Sequence, residues 1–136
     1  MATRSNIAVK MNDGTFKKIY CHFDGYVSHN GVMLLEHYNS QERAEALVAL
    51  GNISYLRPSI ECPDGHSFDY PVAGYTVAYG RDRGEKKQEA QIIHKSNTNC
   101  LEVDEEYLYV WIDDAWYVKQ SDKGPLVPLT DAVNAN

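Results

Sequence analysis

The chain has 136 residues and a formal net charge of −6, and 43% of its residues are hydrophobic. This length is typical of one domain and is enough to bury a core without disulfide bonds, so we expect a single domain over residues 1–136. An acidic chain lacks the basic surface that duplex DNA requires, which argues against direct sequence-specific DNA binding.

Cysteine use and hydropathy indicate the setting in which the protein works. Cys21, Cys62 and Cys100 are odd in number and widely spaced, unlike a disulfide framework. The N-terminus lacks the apolar core of a signal peptide, and no run approaches the roughly 20 apolar residues of a membrane span. We therefore expect no membrane association and a reducing cytoplasm.

The first predicted element is a β-hairpin. Residues 7–11 alternate with the two-residue period of a half-buried strand, and residues 12–14 form an Asn-Asp-Gly turn. The chain would return over residues 16–23, and Asp24-Gly25 would end this second strand. One face of the returning strand would carry Ile19, Cys21 and Phe23, and the other face Tyr20 and His22.

Two short helices are predicted next. The first would span about residues 28–38, with Ser28 or Asn30 as its N-cap. Ser40 would cap the second, residues 41–50, where apolar side chains recur at helical spacing.

The middle of the chain is less regular. Residues 52–72 carry three prolines and a glycine, which is typical of a loop. Residues 75–79 indicate another strand, residues 80–84 a charged turn, and residues 85–95 are ambiguous between helix and strand.

The last predicted element is a second hairpin, with strands at residues 107–112 and 115–120 and a turn at Asp113-Asp114. Trp111 and Trp116 would pair across it. From about residue 122, the composition predicts a frayed C-terminus. The two hairpins and two short helices together predict an α+β fold with an antiparallel sheet built from hairpins.

The cysteine and histidine residues raise the questions of metal binding and catalysis. Cys21, His22, Cys62 and His66 are residue types that bind zinc, but adjacent Cys21 and His22 point to opposite sides of a strand. We expect no metal or cofactor, although the sequence does not decide whether these four residues bind one. No catalytic motif is present, so we expect a protein that is not an enzyme. A small enzyme with a Cys/His site is the alternative.

A binding surface is indicated by two segments. Residues 18–38 hold an unusual density of tyrosine and histidine, and Arg81 and Arg83 could present guanidinium forks to an anion. Asp82 and Glu85 could instead neutralise these arginines locally. The candidate binding residues are Tyr20, His22, Asp24, Tyr26, Arg81 and Arg83.

Several segments are similar to those of known proteins: IYCHFDGY, TVAYGRDRGE and EYLYVW. Over about residues 4–119, the chain resembles small proteins encoded by tailed phages and prophages. Phe23 stands where such proteins usually have tryptophan. The resemblance implies no catalytic residue, and it implies the setting of phage accessory proteins, which often disarm a host defence.

We therefore expect a phage-encoded, non-catalytic binding protein of the host cytoplasm. It would inhibit a bacterial defence system, for example as an anti-CRISPR or another counter-immunity inhibitor. The partner would be a host defence protein whose surface it occupies, or a nucleotide second messenger that it sequesters. A structural virion-associated role is a further alternative. A homodimer is compatible with the aromatic face and acidic edge of the second hairpin.

Overall fold

A computed structural model describes residues 2–94, 103, 105–120 and 124–135 of the chain. It confirms the predicted α+β class, with a mostly antiparallel, mixed sheet of eight strands. The strands are β1 (Ser5–Lys10), β2 (Phe16–Cys21), β3 (Ile53–Tyr55), β4 (Val77–Ala78), β5 (Gln91–Ile93), β6 (Tyr107–Ile112), β7 (Ala115–Lys119) and β8 (Val127–Pro128). The helices are α1 (Val32–His37), α2 (Gln41–Val48), α3 (Tyr79–Arg83) and α4 (Leu129–Asn134), and a π-helical segment, Val27–Gly31, leads into α1.

The strand order is β4-β3-β2-β1-β6-β7-β8, with β5 pairing separately with β2. Both predicted hairpins are confirmed: β1 pairs with β2 from Ser5↔Cys21 to Lys10↔Phe16, and β6 pairs with β7 around Trp111↔Trp116. Two parallel pairs, β1–β6 and β2–β3, join these hairpins to each other and to the middle of the chain. The local alternation pattern carries no signal for such long-range pairs.

The main core lies between one face of the sheet and the helices. Ile7, Ile19 and Tyr109 on the sheet pack in one buried cluster with Leu34 and Leu47 from α1 and α2. A smaller cluster on the opposite face contains Ala8, Phe16, Leu108 and Val110. The sheet is therefore apolar on both sides where β1, β2 and β6 lie together.

Aromatic side chains of the second hairpin anchor the sheet to the helical segments. The Trp111 and Trp116 rings meet edge to face, with centroids 5.4 Å apart, as the sequence predicted. Trp111 Nε1 donates to Gln41 Oε1 at 2.7 Å, and Trp116 Nε1 donates to the Tyr38 carbonyl at 3.0 Å. Each buried indole thus keeps a hydrogen-bond partner, as such rings require.

Three local predictions differ from the structure. Strand β2 ends at Cys21, so Phe23 does not share the buried face and is 42% exposed. The strand predicted over residues 75–79 is shorter in the structure, where only β4 forms. The charged turn predicted over residues 80–84 is instead helix α3, which ends at Gly84 with φ +75°. Of the two glycines that suggested a turn, Gly80 lies within this short helix and Gly84 is its C-cap.

The C-terminal prediction is also wrong over residues 127–134. This segment forms β8 and α4 instead of fraying, because Leu129 is fully buried and Ala132 is 8% exposed. Within the described ranges, no helix is long and apolar enough to cross a membrane.

Candidate binding surface

The sharp bend after β2 brings several candidate residues to the surface. Asp24 adopts φ +58°, a left-handed conformation that aspartate tolerates better than most residues. Gly25 follows with its N–H donating to the Thr3 carbonyl at 2.8 Å, and a Cβ there would lie only 2.8 Å from the Ser5 Cβ. The close approach explains why the Asp-Gly pair stands at this position.

Tyr20 and His22 lie on the same side of the chain, as predicted for alternate residues of a strand. The Tyr20 hydroxyl is 2.5 Å from His22 Nδ1, and the ring centroids are 5.9 Å apart. Partial burial raises the pKa of Tyr20, so the phenol stays protonated at neutral pH and can donate to the imidazole. The His22 ring in turn meets Phe23 edge to face, with centroids 4.5 Å apart.

Asp24 links the bend to the segment that follows β3. Its Oδ1 accepts from the Tyr26 hydroxyl at 3.3 Å, and its Oδ2 lies 4.0 Å from Arg57 Nη1. The nearby carboxylate raises the pKa of Tyr26. Tyr26 is 38% exposed, so aromatic, acidic and basic groups are open to solvent together. We call His22, Phe23, Asp24, Tyr26 and Arg57 the Asp24 surface.

Next to the Asp24 surface is a cavity of about 230 Å3. Tyr55, Arg57 and residues 71–75 line it, and we call it the Tyr55 cavity. The Arg57 guanidinium carbon lies over the Tyr55 ring at 4.3 Å from its centroid, a cation–π stack. Sequence reasoning missed both residues, although their spacing of two in an extended segment places their side chains on one side.

Arg81 has a different environment from the one predicted. Its guanidinium donates to Asp82 Oδ1 at 2.8 Å, to the Thr76 carbonyl at 3.0 Å and to the Ile60 carbonyl. These bonds hold the loop between β3 and β4 against α3. Arg81 therefore has partners within the chain, as the local ion-pair interpretation proposed.

Asp82 is the centre of this loop attachment. Its side chain is fully buried and accepts from the Ala78 N–H at 2.8 Å and from His66 Nε2 at 3.3 Å, besides Arg81. Burial raises the pKa of Asp82, but the hydrogen bonds from Arg81 and Ala78 outweigh it and hold the pKa below its usual range. The carboxylate is thus charged at neutral pH.

Arg83 is also held within the chain. Its guanidinium forms an ion pair with Glu85 and lies over the Phe68 ring at 4.1 Å and the Tyr79 ring at 5.2 Å from the centroids. Among the described residues, no hydrogen bond or ion pair joins Arg81 or Arg83 to the group from Tyr20 to Tyr26. The two predicted segments are separated by strand β3, which pairs with β2 on one side and β4 on the other.

The thiols differ in environment. Cys21 is fully buried, where it accepts from Asn30 Nδ2 at 3.4 Å, and burial raises its pKa to about 11. A buried, protonated thiol is a poor nucleophile. Exposed Cys62 lies 3.8 Å from Asp82 Oδ1. The described part of the chain holds no group of three or more His, Cys, Asp or Glu placed to bind a metal ion. Cys100 lies outside the described residues.

No protein-family model matches the chain, and comparisons with curated proteins and with solved structures likewise find no match.

Proposed function

We propose that this protein is a phage-encoded, non-catalytic binding protein that inhibits a bacterial defence system. The observation that supports the proposal most directly is the Asp24 surface, where Phe23 and Tyr26 are 42% and 38% exposed beside charged side chains. Aromatic residues and arginine are enriched at the centres of protein interfaces, where they contribute most of the binding energy. A bacterial defence protein is the partner that the resemblance to phage proteins suggests.

A binding role is also consistent with how the surface is built. The hydrogen bonds from Tyr20 to His22 and from Tyr26 to Asp24 fix side chains that would otherwise rotate freely. Because less conformational entropy remains to be lost, a preorganised surface binds more tightly than a mobile one. The same surface adjoins the Tyr55 cavity, so a host protein or a nucleotide signal could be the target.

Counter-defence activity can be tested by plating. A defence-sensitive phage would be plated on bacterial strains that each carry one defence system, including CRISPR–Cas systems, with and without the protein expressed in the host cytoplasm. We expect plating efficiency to rise on at least one such strain. Unchanged plating on every strain, with the protein folded and expressed, would contradict the proposal.

Variants then locate the activity on the chain. Phe23→Ala and Tyr26→Ala remove exposed rings and should abolish the rise in plating while leaving the thermal midpoint nearly unchanged, because neither ring is in the core. Ile92→Ala is the matched control, since Ile92 is 52% exposed but lies on β5. Equal loss in Ile92→Ala would remove the assignment to the Asp24 surface.

A further inference from the structure

The Tyr55 cavity has the charge of an anion-binding site. Among the described residues that line it, Arg57 is the only charged one, and the others are two tyrosines and small or apolar residues. The Arg57 side chain is 32% exposed, so it is accessible from solvent. Charge complementarity therefore favours an anionic ligand over a cationic or neutral one.

The donors of Arg57 are also better placed for a ligand than those of Arg81 and Arg83. Its Nη1 donates to the Leu56 carbonyl at 2.9 Å and forms a long ion pair with Asp24, 4.0 Å from Oδ2 and beyond hydrogen-bond distance. Among the described residues, none accepts from Nε or Nη2. That edge of a guanidinium binds two oxygens of a phosphate side by side. Arg81 and Arg83, in contrast, donate to Asp82 and Glu85.

The opposite wall of the cavity is held in place before any ligand arrives. The Val72 N–H donates to His66 Nδ1 at 2.9 Å, so the proton of this buried imidazole is on Nε2, facing Asp82 and the Thr76 carbonyl. The Ser59 N–H donates to the Gly74 carbonyl at 3.1 Å. The first bond attaches this wall to the buried Asp82 through His66, and the second attaches it to Ser59.

We propose that the Tyr55 cavity binds a nucleoside monophosphate group, either free or as part of a larger nucleotide signal. The base would stack on the Arg57–Tyr55 pair or on Tyr75, and the phosphate would accept from Arg57 Nε and Nη2. A volume of about 230 Å3 is below the roughly 300–1,000 Å3 of sites for drug-sized ligands, so one base and its phosphate would fill it. This inference rests on the proposed function and specifies its second possible target, the nucleotide signal.

Isothermal titration calorimetry with the purified full chain tests the inference. The probes are 5′-AMP, 5′-GMP, adenosine and inorganic phosphate. We expect at least one monophosphate to bind with a submillimolar Kd, and adenosine and phosphate to bind at least about tenfold more weakly, because each makes only half of the contacts. Amide shifts of Ala73 and Gly74 in NMR spectra would place the ligand in the cavity.

Variants make the test specific to Arg57. Arg57→Gln should weaken monophosphate binding by about tenfold or more, and Ala73→Phe should do the same by filling the cavity without removing a contact. Arg83→Gln is the matched control, since it also removes a guanidinium stacked on an aromatic ring. Thermal midpoints confirm that each variant is folded.

Three results would overturn the inference: no heat with either monophosphate at about 5 mM, phosphate binding as tightly as the nucleotides, or equal loss in Arg57→Gln and Arg83→Gln. Counter-defence activity in plating combined with no nucleotide binding would reject the cavity ligand alone. The Asp24 surface would then remain as the site of a host protein.

Discussion

At the scale of single residues, Asp82 is the acceptor that occupies Arg81 and holds the loop between β3 and β4 in place. Its carboxylate engages Arg81, the Ala78 N–H and His66, and through them the loop that lines the Tyr55 cavity. The residue that the sequence indicated as an anion binder therefore supports the cavity, and a neighbouring arginine faces it.

Replacing Asp82 should destabilise the whole molecule. Asp82→Asn keeps the shape of the side chain but leaves Arg81 without its counter-ion and places an amide NH2 against other donors. Breaking a buried charged pair in this way costs about 3–5 kcal/mol, and the lower end applies because Arg81 is 26% exposed. Urea denaturation measures the change. Asp64→Asn, at an exposed site, should change the free energy of unfolding by less than about 0.5 kcal/mol.

The same carboxylate predicts a pH dependence. Because its pKa is lower in the folded chain than the value of about 3.9 in an unfolded chain, its contribution is fully present only above about pH 5. This contribution is lost as pH falls through the folded pKa. The difference in unfolding free energy between wild type and Asp82→Asn should therefore be constant from pH 7 to about pH 5 and shrink below about pH 4. A difference that grows in acid would contradict the charged state assigned to Asp82.

At the scale of elements, the two helices before β3 begin in different ways. Ser40 caps α2, with its Oγ accepting from the Arg43 N–H at 3.1 Å, as the sequence predicted. The helical segment before α1 has no side-chain cap, and Asn30 is instead buried, donating to Ser5 Oγ and Cys21. Residue type alone could not show which serine is an N-cap, because both Ser28 and Ser40 stand near the start of a helical pattern in the sequence.

This difference predicts unequal effects of two serine substitutions. Ser40→Ala should lower the free energy of unfolding by about 1 kcal/mol, the usual contribution of an N-cap hydrogen bond. Ser28→Ala should change it by less than about 0.5 kcal/mol, because Ser28 is exposed and caps no helix. Chemical denaturation of the two variants side by side measures both effects. Equal losses would mean that Ser28 caps a helix in solution.

Prediction from sequence succeeded for the elements that local patterns specify. The alternation in β1 and the Asn-Asp-Gly turn correctly predicted the first hairpin, and the pairing of Trp111 with Trp116 was correctly predicted for the second. The parallel pairing of β1 with β6 depends on residues about 100 positions apart, and no local period encodes it. Helix α3 was missed because Gly80 lies within it and Gly84 ends it, and glycines usually mark turns.

The candidate site divides in the same way. The contact of Tyr20 with His22 was predictable because a spacing of two in extended chain brings side chains together. Asp24 meets Tyr26 across the bend, where Asp24 has φ +58°, and this contact was not predicted. Arg57 reaches Asp24 only through the pairing of β2 with β3, which the sequence does not reveal. Without knowledge of that pairing, the sequence pointed to Arg81 and Arg83 as the anion-binding arginines.

At the scale of the whole molecule, the C-terminal segment closes the core. Leu129 at the start of α4 is fully buried, and a Cβ on Gly31 would lie 3.2 Å from its Cδ1. Helix α4 contacts β7 and the π-helical segment before α1. The last residues thus join the second hairpin to the helical layer, and burial of a few apolar side chains outweighs a composition that suggests fraying.

The importance of this contact can be measured with one substitution. Leu129→Ala should lower the free energy of unfolding by about 2–4 kcal/mol, because it removes buried methyl groups and leaves a cavity beside Gly31. Thr130→Ala, at the next and exposed position of α4, should change it by less than about 0.5 kcal/mol. Urea unfolding followed by tryptophan fluorescence reports both, since Trp111 and Trp116 lie in the same core cluster as Leu129. If Leu129→Ala were as stable as wild type, α4 would not be docked in solution, and the C-terminus would fray as its composition indicates.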